Sequence, residues 1–298
     1  MGYAFDGARH AIRAVNGIPG SSVLGEAVAL PFPVAAVAFS PHGDFALAVS
    51  ASDDRRTHLL RHLGDTNDTD PIEGAIRGAD RIVLNADATA GVLFASDARQ
   101  IQVVRGLPDS ARVELPVDLS SIDGTVTALA IDRTASNILI AVSADHGGLY
   151  LTTAEQSRPH LIGNFGSPSA LALLNDDNDV IVADAAVNEI TLLRNFANTA
   201  EMLRIAGERD GISTPVGLGI SQNTRKLFIA NARSRALDIW NLDGQSIEAS
   251  YPLDAEPTRL TPLHDSSTFL LNDIGDHPLL VLDLSTGPAI YFVPAGRN

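Results

Sequence analysis

The chain has 298 residues, with 21 basic and 36 acidic side chains, a formal net charge of −15 and no cysteine. The absence of cysteine excludes a disulfide framework, a thiolate metal site and a cysteine nucleophile. The negative charge makes nucleic acid and anionic membrane surfaces unfavourable partners, because both would repel the chain.

The N-terminal segment, residues 1–34, contains two predicted strands followed by a loop. The strands run from Tyr3 to Asp6 and from Ala11 to Val15. The stretch 17–31 contains two Pro and three Gly residues, and such breaker residues indicate a loop.

After residue 34, a short polar turn recurs six times, each time directly after an apolar strand. The recurring turn residue is Asp or Asn, at positions Asp53, Asp97, Asp145, Asp184, Asn231 and Asp273. Subtraction of these positions gives intervals of 44, 48, 39, 47 and 42 residues, which is the period of a four-stranded propeller blade. We therefore predict an all-β fold, a β-propeller of four-stranded antiparallel blades, as a single domain over residues 1–298.

The repeats predict the number of blades. They lie near residues 35–79, 80–126, 127–168, 169–215, 216–257 and 258–298. Residues 1–34 match the third and fourth strands of a blade and a linker, so we expect six blades and an N-terminal hairpin that closes the ring. Seven blades is the alternative.

The clearest repeat lies within residues 199–242. Its predicted strands run from Met202 to Ala206, Val216 to Ile220, Leu227 to Ala230 and Ala236 to Trp240. Short strands separated by Gly, Asn, Ser and Asp clusters are typical of antiparallel meanders.

Two of these repeats resemble a known family. The sequence IVADAAVNEITLL (181–193) resembles the core of NHL repeats, and LFIANARSRALDIW (227–240) resembles the similar YVTN repeat. The segment AGERDGISTPVGLGIS (206–221) is similar to the Gly-rich linker and Pro that precede the innermost strand in NHL repeats. The resemblance covers residues 35–298 and implies the propeller fold. It leaves the function open, because the family includes binding scaffolds, sensors, lyases and hydrolases.

Location and membrane association follow from the same observations. Resembling repeats are common in exported proteins, so we expect a secreted or periplasmic location, with a cytoplasmic one as the alternative. No stretch approaches the roughly 18 uninterrupted apolar residues of a membrane-spanning helix, so we expect no membrane insertion.

The recurring Asp or Asn has two possible roles. Its side chain can accept a hydrogen bond from the backbone N–H two residues on, which stabilises a turn. The alternative is direct ligand binding. Recurrence in every repeat favours the turn, since one ligand site would not need a copy in each blade.

The longest charged linker between blades is the best candidate for binding. It carries Glu208, Arg209 and Asp210 between Gly207 and Gly211. Loops on a rigid scaffold are where recognition concentrates, and we expect this one to bind a protein or peptide partner. The alternative is a linker that serves spacing alone.

Three further residues complete the predicted site. His146, Asp276 and His277 follow second strands, and we place them on the same acidic face as the linker. We expect them to contribute to binding and predict no mononuclear metal site there, because their blades are far apart. The alternative is that each histidine is a surface turn residue.

Two acidic loops are candidates for calcium. Residues 65–70 (DTNDTD) and 175–179 (NDDND) present oxygen ligands at alternate positions, as hard cations require. Both lack the glycine and the distal glutamate of an EF-hand, so we expect no cofactor and keep calcium as the alternative.

No catalytic motif accompanies these features. The sequence has no nucleophile elbow, no phosphate-binding glycine loop and no His-Glu-x-x-His. We therefore expect a non-catalytic binding scaffold. The alternatives are a calcium- or zinc-dependent hydrolase or lyase with its site at the channel mouth, and a structural or sensor module of an extracellular assembly.

Overall fold

A computed structural model describes most of the chain. The described residues are 2–18, 20–145, 147–153, 156, 158–174, 177–221, 224–263, 267–275, 278–285 and 287–294.

The described strands form seven antiparallel sheets in chain order. The first sheet has three strands, β1 (Gly2–Asp6), β2 (Ala11–Ile18) and β3 (Ser21–Ala27). The second has β4 (Val34–Phe39), β5 (Phe45–Ser50), β6 (Thr57–Arg61) and β7 (Asp68–Pro71). The third has β8 (Arg81–Leu84), β9 (Ala90–Ala95) and β10 (Gln100–Arg105), with β11 (Arg112–Val113) and β12 (Val117–Asp118) both paired to β10.

The remaining four sheets each have four strands. The fourth contains β13 (Thr125–Ile131), β14 (Asn137–Ser143), β15 (Gly148–Thr153) and β16 (His160–Asn164). The fifth contains β17 (Pro168–Leu173), β18 (Val180–Asp184), β19 (Glu189–Arg194) and β20 (Glu201–Ala206). The sixth contains β21 (Pro215–Ser221), β22 (Lys226–Asn231), β23 (Ala236–Asn241) and β24 (Ser246–Pro252). The seventh contains β25 (Thr261–Pro262), β26 (Thr268–Leu270), β27 (Leu279–Asp283) and β28 (Ala289–Val293).

This architecture is a β-propeller with seven blades, one for each sheet. The prediction of four-stranded antiparallel blades is confirmed, and the prediction of six blades is wrong. Each of the six repeats forms one sheet, and the N-terminal segment forms a seventh. The single-domain boundary, 1–298, stays a prediction.

The error arose in the stretch 17–31, which was predicted to be a loop and contains β3. Gly17, near the end of β2, and Gly20, directly before β3, have positive φ values of 104° and 82°, which glycine adopts readily and which let the chain turn from β2 into β3. Ser22 and Leu24 are buried on that strand and Val23 between them is exposed, so the inward Ser22 is polar, the outward Val23 is apolar, and the usual alternation is not visible in the sequence. The N-terminal segment is therefore a three-stranded blade, and not a two-stranded hairpin.

The chain divides into two compact units. The first comprises residues 1–120, 133–135 and 262–298, and the second comprises residues 121–132 and 136–261. The first unit contains the first three sheets and nearly all of the seventh. The second contains the fourth, fifth and sixth.

Aliphatic side chains fill the space between neighbouring sheets of each unit. In the first unit, Ala4 and Val15 of the first sheet pack with Leu263, which follows β25, and with Val281 of β27 in the seventh sheet. In the second unit, the clusters combine buried residues of the fourth and fifth sheets and of the fifth and sixth sheets. Burial of these faces is the main term that stabilises each stack of sheets.

Candidate functional site

The predicted binding linker lies in the second unit, between β20 and β21. Glu208–Asp210 form a 3-10 turn in which all three charged side chains are exposed. The Gly207 N–H donates to Asp210 Oδ2 at 3.0 Å, and the Gly211 N–H donates to the Glu208 carbonyl at 3.1 Å. Gly211 has a φ of 94°, a conformation that side chains disfavour. The linker therefore presents its charges from a hydrogen-bonded turn.

Side chains of the fifth and sixth sheets anchor this linker at its C-terminal end. The Ser213 N–H donates to Asn231 Oδ1 at 3.0 Å, and the Thr214 N–H donates to Asn188 Oδ1 at 2.7 Å. Ile212 is buried in the apolar cluster between these sheets. Asn231 is itself fully buried, so the linker conformation is tied to the core.

Arg204 joins the linker to a neighbouring groove. Its guanidinium packs so closely on Gly207 that a side chain there would collide with it. Arg204 Nε also lies 3.0 Å from Glu189 Oε1, and Glu189 lines the groove. The linker and the groove are thus parts of one continuous surface.

The groove is a cavity of about 430 Å3 between the fourth and fifth sheets. Phe165 contributes a buried apolar wall. Val187 and Met202 line the groove with 54% and 48% of their surface exposed. Asp145 lines it as well and is exposed. We call this area the linker–groove surface, defined by Asp145, Val187, Glu189, Met202, Arg204, Glu208, Arg209 and Asp210.

Asp184 also borders the groove, but its carboxylate is used internally. It accepts hydrogen bonds from the N–H groups of Gly166 at 2.7 Å, Ser167 at 2.9 Å and Ala186 at 3.0 Å. The bond from Ala186, two residues on, confirms the predicted turn role at this position. The other two bonds fasten the linker that precedes β17.

Asn231, at the equivalent position of the sixth sheet, differs from that prediction. Its oxygen accepts from Ser213 of the preceding linker, and its Nδ2 donates to Asp238 Oδ2 at 2.7 Å. The predicted turn role is therefore wrong here, because the Asn231 oxygen accepts the linker N–H of Ser213 instead.

Asp238 is a buried carboxylate that the sequence reasoning missed. It lies in the middle of β23, is 2% exposed and sits beside Gly211. Burial raises the pKa of Asp238, and a hydrogen bond with Ser250 opposes that rise. An isolated acidic residue in the apolar strand ALDIWN was the available signal.

Polar side chains recur at the equivalent register position of other sheets. Strand pairing aligns Asp238 with Ile229, two residues before the end of the preceding strand, and it aligns Arg13, His58, Gln102 and Thr191 in the same way. Gln102 shows the purpose most clearly, since its Oε1 accepts from Ile76 N–H of the preceding linker at 2.7 Å. In the third sheet, this position therefore holds the linker that precedes the sheet.

Three predicted site residues, His146, Asp276 and His277, lie outside the described residues. The neighbours of His146, Asp145 and Gly147, line the groove. The binding role of the linker and of these three residues stays a prediction.

The two candidate calcium loops use part of their oxygens internally. In the first, His62 Nδ1 lies 2.8 Å from Asp68 Oδ2, and Asp70 pairs with Arg61. The hydrogen bond with His62 is the main reason that the pKa of Asp68 is lowered. In the second, Asp179 Oδ1 accepts from the Asn195 N–H at 3.0 Å, and residues 175–176 lie outside the described part of the chain. Calcium binding stays a prediction.

The described residues show neither a metal cluster nor a membrane-spanning helix. Within that part of the chain, no group of three or more His, Asp or Glu side chains is placed to hold a metal ion. Among the same residues, no helix is long and apolar enough to cross a membrane.

Comparisons with known proteins identify the fold. No family model matches the sequence, and no curated protein matches it. Among 1562 matching chains of solved structures is a functionally unknown protein from Desulfotomaculum acetoxidans, with 13% identity, a TM-score of 0.65 and 99% of each chain covered.

Two other matches come from named assemblies. Hydrazine synthase from Kuenenia stuttgartiensis has 12% identity and a TM-score of 0.64, over 96% of this chain and 90% of that one. A chain of a nidogen/laminin complex has 12% identity and a TM-score of 0.54, over 84% of this chain and 92% of that one. At such identities these likenesses show the fold alone.

Proposed function

We propose that the chain is a non-catalytic scaffold that binds a protein or peptide partner through its linker–groove surface. The observation that carries this proposal is the contact of Arg204 with both Gly207 and Glu189. It joins a turn with three exposed charges to a groove with exposed apolar side chains. A surface that combines charged and apolar groups on ordered backbone loses little conformational entropy on binding.

The charge of this surface indicates the chemistry of the partner. It carries four carboxylates, Asp145, Glu189, Glu208 and Asp210, and two guanidinium groups, Arg204 and Arg209. Four minus two leaves a net charge of −2. A partner segment with basic side chains and one apolar side chain for the groove is complementary to it.

The repeat family belongs to the same proposal. We infer an NHL/YVTN-type propeller, which the contacts of the linkers support. Asp184 and Asn231 each end the second strand of their sheet. Asp184 accepts the N–H of Ser167, directly before Pro168 of β17, and Asn231 accepts the N–H of Ser213, two residues before Pro215 of β21. The alternative of a metal-dependent hydrolase or lyase has no specific observation in its favour, and metal analysis of the purified protein tests it directly.

The binding proposal is tested with a peptide library displayed on phage and selected on the immobilised full chain. A selected peptide is then titrated against the wild type and against a variant with Glu208, Arg209 and Asp210 all replaced by Ser. We expect at least about tenfold weaker binding by the variant, binding that weakens with salt, and a nearly unchanged melting temperature.

The matched control replaces an exposed pair elsewhere in the second unit. Arg225 Nε and Asp243 Oδ1 are 2.9 Å apart on exposed side chains, so replacing both with Ser changes surface charge without touching the linker–groove surface. This control should bind like the wild type. Equal binding by the triple variant at low and moderate salt would remove the linker from the site.

A further inference from the structure

The sulfur atoms of the chain are few, and one of them lies in the candidate site. The chain has no cysteine and two methionines, Met1 and Met202. A peroxide that meets this chain therefore finds no thiol to oxidise, and the two thioethers are its only sulfur targets. Met202 is the one that lines the groove of the linker–groove surface.

The backbone places Met202 beside the contact that joins the groove to the linker. Met202 lies on β20, where it pairs with Leu193 of β19. It lines the groove with 48% of its surface exposed. Arg204 lies two residues further along β20, so both side chains leave the strand on the same face. A change at Met202 therefore acts next to the residue that contacts both Gly207 and Glu189.

The sulfur atom of Met202 packs toward the fourth sheet. A Cβ atom placed on Gly163 of β16 would lie 3.6 Å from Met202 Sδ, 3.5 Å from Leu193 Cδ2 and 3.0 Å from the Phe165 ring. The sulfur thus approaches an apolar area at which Gly163 provides no side chain. The thioether is open to small molecules in solution and lies close to the apolar wall that a partner would cover.

Oxidation by a peroxide changes the chemistry of this position. The sulfur lone pair attacks one oxygen of hydrogen peroxide, the O–O bond breaks and an S–O bond forms. The proton of the transferred oxygen passes to the other oxygen, which leaves as water. The thioether is oxidised to a sulfoxide and the peroxide is reduced. The sulfoxide is polar and carries a strong hydrogen-bond acceptor, whereas a thioether sulfur accepts only weakly.

Such an acceptor opposes binding in the groove. Phe165, Val187 and Met202 form its apolar part, and an apolar partner side chain seated there would cover the new oxygen without donating a hydrogen bond to it. Burial of an unpaired acceptor is unfavourable. In the free chain the oxygen stays in water, because Met202 is exposed. Oxidation therefore destabilises the bound state more than the free state.

We propose that Met202 is a reversible oxidation site, at which a peroxide converts the thioether to the sulfoxide and weakens partner binding at the linker–groove surface. Methionine sulfoxide reductases, which return the sulfoxide to the thioether, restore binding. The effect on binding rests on the proposed function, whereas the reactivity of Met202 is measurable without a partner.

The first measurement uses the full chain alone. The chain and a methionine blocked at both ends are treated together with dilute hydrogen peroxide, and mass spectrometry of proteolytic fragments follows the gain of one oxygen at residue 202. We expect Met202 to react within about threefold of the blocked methionine, because its side chain is exposed, and the thermal transition to stay cooperative. A reaction more than about tenfold slower, or loss of the thermal transition, would overturn the inference.

The second measurement uses a phage-selected peptide that binds the wild type more tightly than the variant with Ser at residues 208–210. We expect the oxidised chain to bind it about tenfold more weakly than the reduced chain, and reductase treatment to restore the affinity. Bound peptide should also slow the oxidation of Met202. Met202→Gln, which carries a permanent polar group, should bind about as weakly as the oxidised chain.

The matched control is Met202→Leu, which has no sulfur at this position. Its affinity for the peptide, whatever the level, should not respond to peroxide. A response to peroxide in Met202→Leu would assign the effect to another residue and overturn Met202 as the site. Equal binding of the peptide by the oxidised and reduced wild type would overturn the oxidation site while the linker–groove surface stands. A peptide bound equally by wild type and triple Ser variant would instead contradict the proposed function.

Discussion

The first and the fifth sheets each have a buried aspartate at the end of a strand, but the two carboxylates have different hydrogen-bond partners. Asp6 ends β1 and Asp184 ends β18, and each is buried. Asp184 accepts three backbone N–H groups, two of them from the linker that precedes its sheet. Asp6 accepts one, from Arg9 of its own turn at 3.1 Å, and pairs with Arg9 at 3.6 Å and Arg13 at 3.8 Å.

The difference comes from the neighbours of the two turns. A linker runs past Asp184 into β17, so its N–H groups reach the carboxylate. The first sheet has no equivalent first strand among the described residues, and arginines of the same sheet compensate the buried charge of Asp6. One residue type at one place of the repeat therefore stabilises either the joint between blades or the hairpin itself.

The largest expected effect tests whether the first sheet is as integral as the others. Deleting residues 1–17 removes β1 and most of β2 and exposes Leu263 and Val281 on one side and Val34 and Leu60 on the other. We expect aggregation or loss of a cooperative thermal transition, because apolar faces of two sheets lose their cover. A calorimetric scan identical to that of the full chain would show that the first sheet is dispensable.

The next effect compares the two turn carboxylates directly. Asp184→Ala leaves three backbone N–H groups without their acceptor, and at about 1 kcal/mol each we expect a loss of about 3 kcal/mol. Asp6→Ala removes one such bond and two long ion pairs, and we expect about 1 kcal/mol. Urea unfolding at pH 7 measures both, with the exposed Asp145→Ala as the control near zero. Equal costs for Asp6 and Asp184 would contradict the role assigned to the linker.

A pH-dependent effect extends the comparison to Asp238, which has the same register position in β23 that Arg13 has in β2. Burial raises the pKa of Asp238 in the folded state. The stability that the protonated Asp238 contributes is therefore fully present below the unfolded pKa near 3.8, and it is lost as the pH rises through the folded pKa. Asp238→Asn should therefore gain stability relative to the wild type from pH 4 to pH 7. The gain is about 1.4 kcal/mol for each unit by which the pKa is raised.

Unfolding curves at several pH values measure this difference. Ser250→Ala should steepen the pH dependence of the wild type, because the hydrogen bond with Ser250 opposes the raised pKa. A stability difference between wild type and Asp238→Asn that is constant with pH would rule out a titrating Asp238.

The smallest expected effect concerns His58, which occupies the same place in the second sheet. Its ring packs on Phe32 with centroids 4.2 Å apart, its Nδ1 is buried without a partner, and burial lowers its pKa. The stability that the neutral His58 contributes to the folded state is fully present above the unfolded pKa near 6.5. It is lost as the pH falls from that value through the lower folded pKa. His58→Leu should therefore lose less stability than the wild type between pH 7 and pH 5, as urea midpoints at both values would show. Parallel losses would contradict a depressed pKa.

Much of the fold was predictable because it depends on local patterns. The strands β20 to β23 follow apolar runs bounded by turn residues. The recurring Asp or Asn ends β18 and β22 and lies two or three residues beyond the end of β5, β9, β14 and β26. The charged turn Glu208–Asp210 was also visible, since glycines flank it. These features depend on backbone preferences of neighbouring residues, which any short segment carries with it.

What the tertiary structure decided is which groups meet. The number of blades depended on β3, whose inward Ser22 is polar and whose outward Val23 is apolar. Stacking of the sheets within the second unit decides the exposure of Val187 and Met202. It also decides the hydrogen bonds that Asp184 and Asn231 accept from linkers 17 and 18 residues away. Recurrence along a sequence specifies the hairpins, but burial and hydrogen bonding between blades depend on neighbours in space, which the local pattern does not contain.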